Sequence, residues 1–230
     1  MALSLKVAAA VTALATLALT GCEYTGQGIG NPLTRKTAWF SYLSGDDIHK
    51  ACKPGYPDRY RIVYNGRWEE QVRIYEIVNT PPHTLNQRIL GPLQLNHLSI
   101  ASTDGIGEIF EGQTAQTALG AQRYSELVAA VDQGLATPVP VDKTFASDSF
   151  YWIVTACEKG QFRLGAWQYN KPDFNVLTFP PLLLKADATG AKFNEPHEMD
   201  SRDFANKSSD DQKRWFIRIY ADHIGGAGGF

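Results

Sequence analysis

The sequence predicts an α+β domain in which a mostly antiparallel sheet carries two or three helices packed on one face. Two hairpin-like segments predict antiparallel pairing, and amphipathic helical stretches do not alternate regularly with the strands as they would in a parallel α/β fold. The chain of 230 residues shows no solenoid-length repeat, and its 43% hydrophobic content favours one folded domain over a disordered stalk.

The first hairpin is predicted between Arg59 and Val78. Strict alternation from Arg59 to Tyr64 is followed by Asn65-Gly66, a strong turn signal, and the returning strand runs from Trp68 until Pro81 and Pro82 end it. One face of the first strand carries Tyr60, Ile62 and Tyr64, and the two faces of the second carry Val72 and Ile74 against Arg73, Tyr75 and Ile77.

The second hairpin is predicted from Phe150–Glu158 and Gln161–Tyr169 around Lys159-Gly160. Apolar residues on both faces of its first strand favour a central position in the sheet. Leu182–Ala186 is predicted as a further strand, and Gln87–Ile100 as a strand interrupted at Gly91-Pro92, although such short apolar runs also fit other structures.

Helical spacing predicts a helix from Thr37 to Cys52 in two pieces broken near Gly45, with Asp46 capping the second, and another from about Thr117 to Leu135. A last helix is predicted after a capping box at Ser209, with a stripe formed by Trp215, Phe216, Ile219, Tyr220 and His223. The β-branched residues of this stretch keep a strand interpretation open.

The first residues are typical of a secretory signal: Lys6 precedes an apolar run, Val7–Leu19, too short for the roughly 20 residues of a membrane-spanning helix. The following residues, Leu19-Thr20-Gly21-Cys22, resemble the lipobox of bacterial lipoproteins. The resemblance implies cleavage between Gly21 and Cys22 and acyl chains on Cys22, which attach the protein to a membrane through covalent lipid. Glu23 replaces the Asp that favours inner-membrane retention, so the resemblance favours the outer membrane, facing the periplasm.

These features predict a signal peptide over residues 1–21, a lipidated Cys22 followed by a glycine-containing flexible tether to residue 34, one globular domain over residues 35–224, and a Gly-rich tail over residues 225–230. Two cysteines remain, Cys52 and Cys157, and an oxidising compartment predicts a disulfide between them. Two separate buried thiols are the alternative.

No catalytic, metal or cofactor site is predicted. Asp46, Asp47 and His49 could together ligate a cation, but acidic residues in a first helical turn are better explained by their interaction with free backbone donors. No Gly-x-Ser-x-Gly elbow occurs, and a net charge of −2 offers no basic field for nucleic acid.

The candidate binding surface is the aromatic and arginine-rich first hairpin, represented by Tyr60, Arg61, Tyr64, Trp68 and Arg73. Such side chains suit an envelope protein or glycan partner, although alternate arginines also occur on the solvated face of a sheet. The sequence therefore predicts an envelope lipoprotein with a non-enzymatic binding or structural domain. The alternative is a lipid-tethered periplasmic enzyme acting on cell-envelope material.

Overall fold

The structure, a computed structural model, describes residues 22–92, 111–198 and 214–227. Its main element is a six-stranded antiparallel sheet with the order β4-β3-β2-β1-β6-β7. In chain order, the described strands are β1 Arg59–Gly66, β2 Val72–Val78, β3 Thr84–Leu90, β4 Gln113–Ala118, β5 Thr144–Ala146, β6 Phe150–Glu158, β7 Gln161–Gln168, β8 Phe216–Ile219 and β9 Ile224–Ala227. With the helices described below, this confirms the predicted α+β class.

Both predicted hairpins are present, but the turn of the first one is displaced. Asn65 and Gly66 belong to β1, and the chain reverses at Arg67, which has φ 62°. Asn65 stays in the strand because its side-chain amide donates to the carbonyls of Ser147 and Ser149, at 2.9 and 2.6 Å. The second hairpin turns at Lys159 and Gly160 as predicted, and β6 lies between β1 and β7 in a central position.

One face of the large sheet is covered by α1, Pro32–Ser44, and flanked by α2, Asp46–Ala51. The Asn31 side chain accepts the backbone N–H groups of Leu33 and Thr34 and so begins α1. Gly45 separates the two helices in a left-handed conformation, φ 70°, which confirms the predicted break. Gly45, and not Asp46, is the residue that caps α2.

The opposite face is covered by α3, Ala121–Leu135, and α5, Phe179–Ala186, with the short α4, Pro172–Asn175, nearby, so the prediction that the helices share one face is wrong. The prediction of a strand over Leu182–Ala186 is wrong. Prolines in the first turn favour a helix start there, and the helix buries Phe179 and Leu183 against the sheet. Helix α3 begins later than predicted because residues 113–118 form β4. The interrupted strand predicted at Gln87–Ile100 can be compared with the structure only in part, because residues 93–100 lie outside the described residues.

The predicted C-terminal helix is wrong over its described part, where β8 and β9 join β5 in a small antiparallel sheet. Trp215, Ile217 and Ile219 are buried at every second position, the strand period that the sequence left as an alternative. The proposed capping box at Ser209 lies outside the described residues. Part of the expected tail is also β9, in which Gly226 lies against Phe40 with no room for a side chain.

The expected flexible tether is also wrong for the described residues. Tyr24 and Ile29 are buried in the core, and the Tyr24 backbone N–H donates to the Ser41 hydroxyl at 2.8 Å. Gly26 and Gly28 adopt positive φ values of 93° and 80°, so these glycines allow the segment to fold back onto the domain.

The predicted disulfide is present. Cys52, directly after α2, is bonded to Cys157 of β6, with their Cα atoms 5.5 Å apart and a sequence separation of 105. Among the described residues, no helix is long and apolar enough to cross a membrane.

Candidate functional site: a polar cleft over strands β2 to β4

The predicted aromatic and arginine-rich binding surface is not a surface. Tyr60, Arg61, Tyr64 and Arg73 are each at most 1% exposed, and Trp68 is 8% exposed. The prediction is wrong because β1 and β2 lie inside the sheet and both of their faces are covered. The arginines are buried because acidic groups pair with them.

Arg61 lies under α1 and α2. Its guanidinium donates to the two carboxylate oxygens of Asp47 at 2.7 and 2.9 Å, to Glu76 at 2.7 Å and to the Tyr42 carbonyl at 3.0 Å. Burial alone would lower the pKa of Arg61, but Tyr42, Asp47 and Glu76 outweigh it and raise the pKa. Asp47 therefore holds a guanidinium, and the neighbouring His49 stacks on Phe162.

Arg73 projects from the opposite face of β2. It donates to Asp187 at 2.7 Å and to the Ala191 carbonyl at 2.7 Å, which fastens the segment after α5 to the sheet. The Tyr75 hydroxyl donates to the same Asp187 oxygen at 2.7 Å. This arginine has a structural role in closing that face.

A cleft of about 950 Å³ opens over the outer part of the sheet, on the same face as Arg61. One wall is the segment from Tyr24 to Asn31, together with Tyr42 of α1. The floor consists of side chains from β2, β3 and β4: Ile74, Glu76, Asn86, Arg88, Thr114 and Gln116.

Strand register places the polar floor groups in a row. Arg61 is paired with Glu76, Glu76 with Asn86, and Asn86 with Gln116 across four adjacent strands. The Gln116 amide donates to the Asn86 side-chain oxygen at 2.8 Å. The Glu76 side chain is 32% exposed, so the row leads from a buried arginine to groups that solvent or a ligand can reach.

A second row of the floor contains Arg88, which lies between Ile74 and Thr114. Its guanidinium donates to the Glu111 backbone carbonyl and lies against Gly30, where a side chain would collide with it. Behind this wall, Arg35 donates to the carbonyls of Ile29 and Gly30 at 3.3 and 3.0 Å. Burial and the charge of Arg88 lower the pKa of Arg35 to about 10, so it remains a cation at neutral pH.

The two tyrosines of the cleft are neutral hydrogen-bonding groups. Burial raises the pKa of Tyr24 to about 12 and raises the pKa of Tyr42 well above its ordinary value. The Tyr42 hydroxyl donates to Glu76 at 3.2 Å, which adds a second donor to the carboxylate that Arg61 already holds.

A smaller depression of about 320 Å³ is lined by Ser149, Phe150, Tyr169, His197 and Glu198, among other residues. The Ser149 hydroxyl donates to the Ala146 carbonyl at 2.8 Å, and His197 Nδ1 lies 3.0 Å from the Glu195 carbonyl. Both groups thus contact backbone oxygens. In residues 22–92, 111–198 and 214–227, no group of three or more His, Cys, Asp or Glu could hold a metal ion.

No family model, curated protein or solved structure matches this chain. The assignment of a site therefore depends on the geometry of the cleft. The sequence does contain a signal for it, because Glu76, Asn86, Arg88, Thr114 and Gln116 are polar residues at alternate positions of three adjacent strands. Their pairing could not be inferred without β4, which the sequence did not predict.

Proposed function

We propose that the protein is a lipid-anchored component of the bacterial envelope whose domain binds a polar, uncharged ligand, such as an envelope saccharide, in the cleft over β2 to β4. The observation that carries the proposal is the cleft floor, where carboxylate, amide and hydroxyl groups of three strands face one open volume. The ligand thus meets the sheet face, although at different residues from those predicted.

The charges of the floor favour a neutral ligand. Glu76 is paired with Arg61, and Arg88 lies 4.0 Å from the Glu111 carboxylate, so cations and anions are nearly balanced. The Asn86 and Gln116 amides can both donate and accept hydrogen bonds, as the hydroxyl groups of a saccharide require.

Binding is favoured over catalysis by the kind of groups in the cleft. The described lining contains no His or Cys, and both of its carboxylates face arginines: Glu76 accepts hydrogen bonds from Arg61 and Tyr42, and Glu111 lies 4.0 Å from Arg88. A general acid or base needs freedom to exchange a proton with the substrate.

The anchor is supported by the state of the thiols. Cys52 and Cys157 are joined, whereas Cys22 is free and exposed, as an acyl acceptor must be. We expect Cys22→Ser to abolish incorporation of radiolabelled palmitate and to retain the precursor size on a gel. Thr25→Ser serves as the control with normal labelling. Undiminished labelling of Cys22→Ser would contradict the anchor.

For the ligand, we expect neutral oligosaccharides of N-acetylglucosamine, a sugar of the bacterial cell wall, to bind the purified domain in isothermal titration calorimetry. The double variant Asn86→Ala/Gln116→Ala should weaken this binding about tenfold or more, since buried partner groups of the ligand lose their hydrogen bonds. The control Gln113→Ala changes the same strand outside the cleft.

If the double variant and the control bound the ligand with equal affinity, the binding site would lie outside the cleft. Release of shortened fragments during the titration, detected by mass spectrometry and lost in the double variant, would replace binding with the enzymatic alternative.

A further inference from the structure

Cys22, the proposed lipid attachment site, lies close to the folded domain. Only Glu23 separates Cys22 from Tyr24, and Tyr24 is fixed by burial and by its hydrogen bond to Ser41. Two residues of extended chain reach about 7 Å at most. This is similar to the headgroup layer of one leaflet, about 5 to 8 Å thick.

The surface beside this attachment is identified by a contact of Glu23. Its carboxylate lies 3.2 Å from the ammonium group of Lys50, in the last turn of α2. The chain then continues into an exposed loop in which the Lys53 ammonium lies 4.8 Å from the centre of the Tyr56 ring. Lys50, Lys53 and Tyr56 together are called the anchor corner.

The chemistry of the anchor corner suits a membrane interface. Tyr56 is 46% exposed, although it is a large aromatic residue, and tyrosine rings are stable at the level of the headgroups. Lysine side chains extend their ammonium groups towards lipid phosphates while their methylene chains lie along apolar material.

We propose that the domain rests directly on the bilayer, with the anchor corner among the lipid headgroups. The proposal depends on lipidation of Cys22 in the proposed function and adds to it a fixed orientation. Because Tyr24 also forms a wall of the cleft, the cleft lies beside the membrane surface and receives its ligand there.

The test uses the mature chain from Cys22 onwards. Its free thiol is coupled to maleimide-functionalised phosphatidylethanolamine in phosphatidylcholine vesicles, while the Cys52–Cys157 bridge leaves no other thiol to react. Lysines are acetylated with a water-soluble succinimidyl ester, and the rate at each lysine is measured by mass spectrometry.

We expect acetylation of Lys50 and Lys53 to slow several-fold on the vesicles relative to the uncoupled protein. Lys171 and Lys185, which belong to the layer of α4 and α5 on the opposite face of the sheet, should keep their rates. Unchanged rates at Lys50 and Lys53, or slowing at Lys171 and Lys185, would overturn the proposed orientation.

A second variant tests the cause. A Gly-Ser linker of about 12 residues inserted between Glu23 and Tyr24 spans about 20 Å and should restore the free rates at Lys50 and Lys53. Persistent slowing would show that the short connection is not responsible and would overturn the proposal. Because the coupling is chemical, these results are independent of palmitate labelling in cells, which tests the anchor itself.

Discussion

The two buried arginines of β1 and β2 lie on opposite faces of the sheet and differ in what holds them. Arg61 pairs with Asp47, which belongs to a helix that the disulfide ties to β6. Arg73 pairs with Asp187, which lies just after α5 in the segment leading to Ala191. The Arg61 partner is thus held by a helix, whereas the Arg73 partner lies outside any helix or strand and is held by further hydrogen bonds from Tyr75 and Thr189.

The same comparison separates structure from function. The second partner of Arg61, Glu76, is partly exposed and lines the cleft, so this buried charge orients a group that a ligand can contact. Arg73 donates to Asp187, to the Gln71 side chain, to the Tyr75 hydroxyl and to the Ala191 carbonyl, and none of these residues lines the cleft. Whether a buried arginine of this fold has a role in function therefore depends on whether a ligand can reach the groups that it bonds.

The largest effect is expected for Arg61→Met. Asp47 would stay buried with only the more distant Arg59 at 3.6 Å, and Glu76 would lose its charged donor, so the free energy of unfolding should fall by about 3 to 5 kcal/mol. Urea denaturation followed by tryptophan fluorescence measures it. Arg218→Met removes a pair on the surface and should leave the urea midpoint unchanged. A change no greater than that of this control would show that Asp47 does not need Arg61.

A smaller loss is expected for Arg73→Met, about 2 to 3 kcal/mol, because Asp187 keeps the hydrogen bonds from Tyr75 and Thr189 when its partner is removed. The same denaturation experiment measures it. A loss equal to or greater than that of Arg61→Met would break the comparison, since it would mean that the hydrogen bonds from Tyr75 and Thr189 do not compensate Asp187 for its missing cation.

The smallest effect is expected for Asp187→Asn, about 1 to 2 kcal/mol at neutral pH, because buried Arg73 keeps its hydrogen bonds to the Gln71 side chain and the Ala191 carbonyl. Burial opposes ionisation of Asp187, but hydrogen bonds from Thr189 and Tyr75 and the charge of Arg73 outweigh it and lower the pKa of this carboxyl. A lowered pKa stabilises the folded state above the unfolded value of about 4, and this contribution is lost as the pH falls through the folded pKa.

The difference in unfolding free energy between wild type and Asp187→Asn should therefore shrink as the pH is lowered from neutral into the acidic range. Unfolding measured at a series of pH values provides the test. A difference that stays constant down to strongly acidic pH would show that ionisation of Asp187 contributes nothing.

The sequence predicted those parts of the fold in which local pattern and tertiary environment agree. Both hairpins, the break at Gly45 and helix α3 follow from alternation, turn residues and helical spacing. The prediction for the stretch after Trp215 was wrong because its apolar residues fit both the helical and the strand period. In the structure, alternate residues are buried against α1, as in a strand.

The site was less predictable than the fold. Arginine on a strand usually faces solvent, so nothing local indicated that Arg61 and Arg73 would find Asp47 and Asp187 at long range. Cleft residues such as Asn86 and Gln116 belong to no sequence motif. Only the register of β3 and β4 shows that they lie side by side.

The covalent link between Cys52 and Cys157 has a consequence for proteolysis. A protease that cuts the backbone once between these cysteines leaves two fragments that the bridge still holds together. The cut molecule keeps its mass in a denaturing gel until a reductant is added. A full-length band on a non-reducing gel therefore does not show that the loops between β1 and β6 are intact.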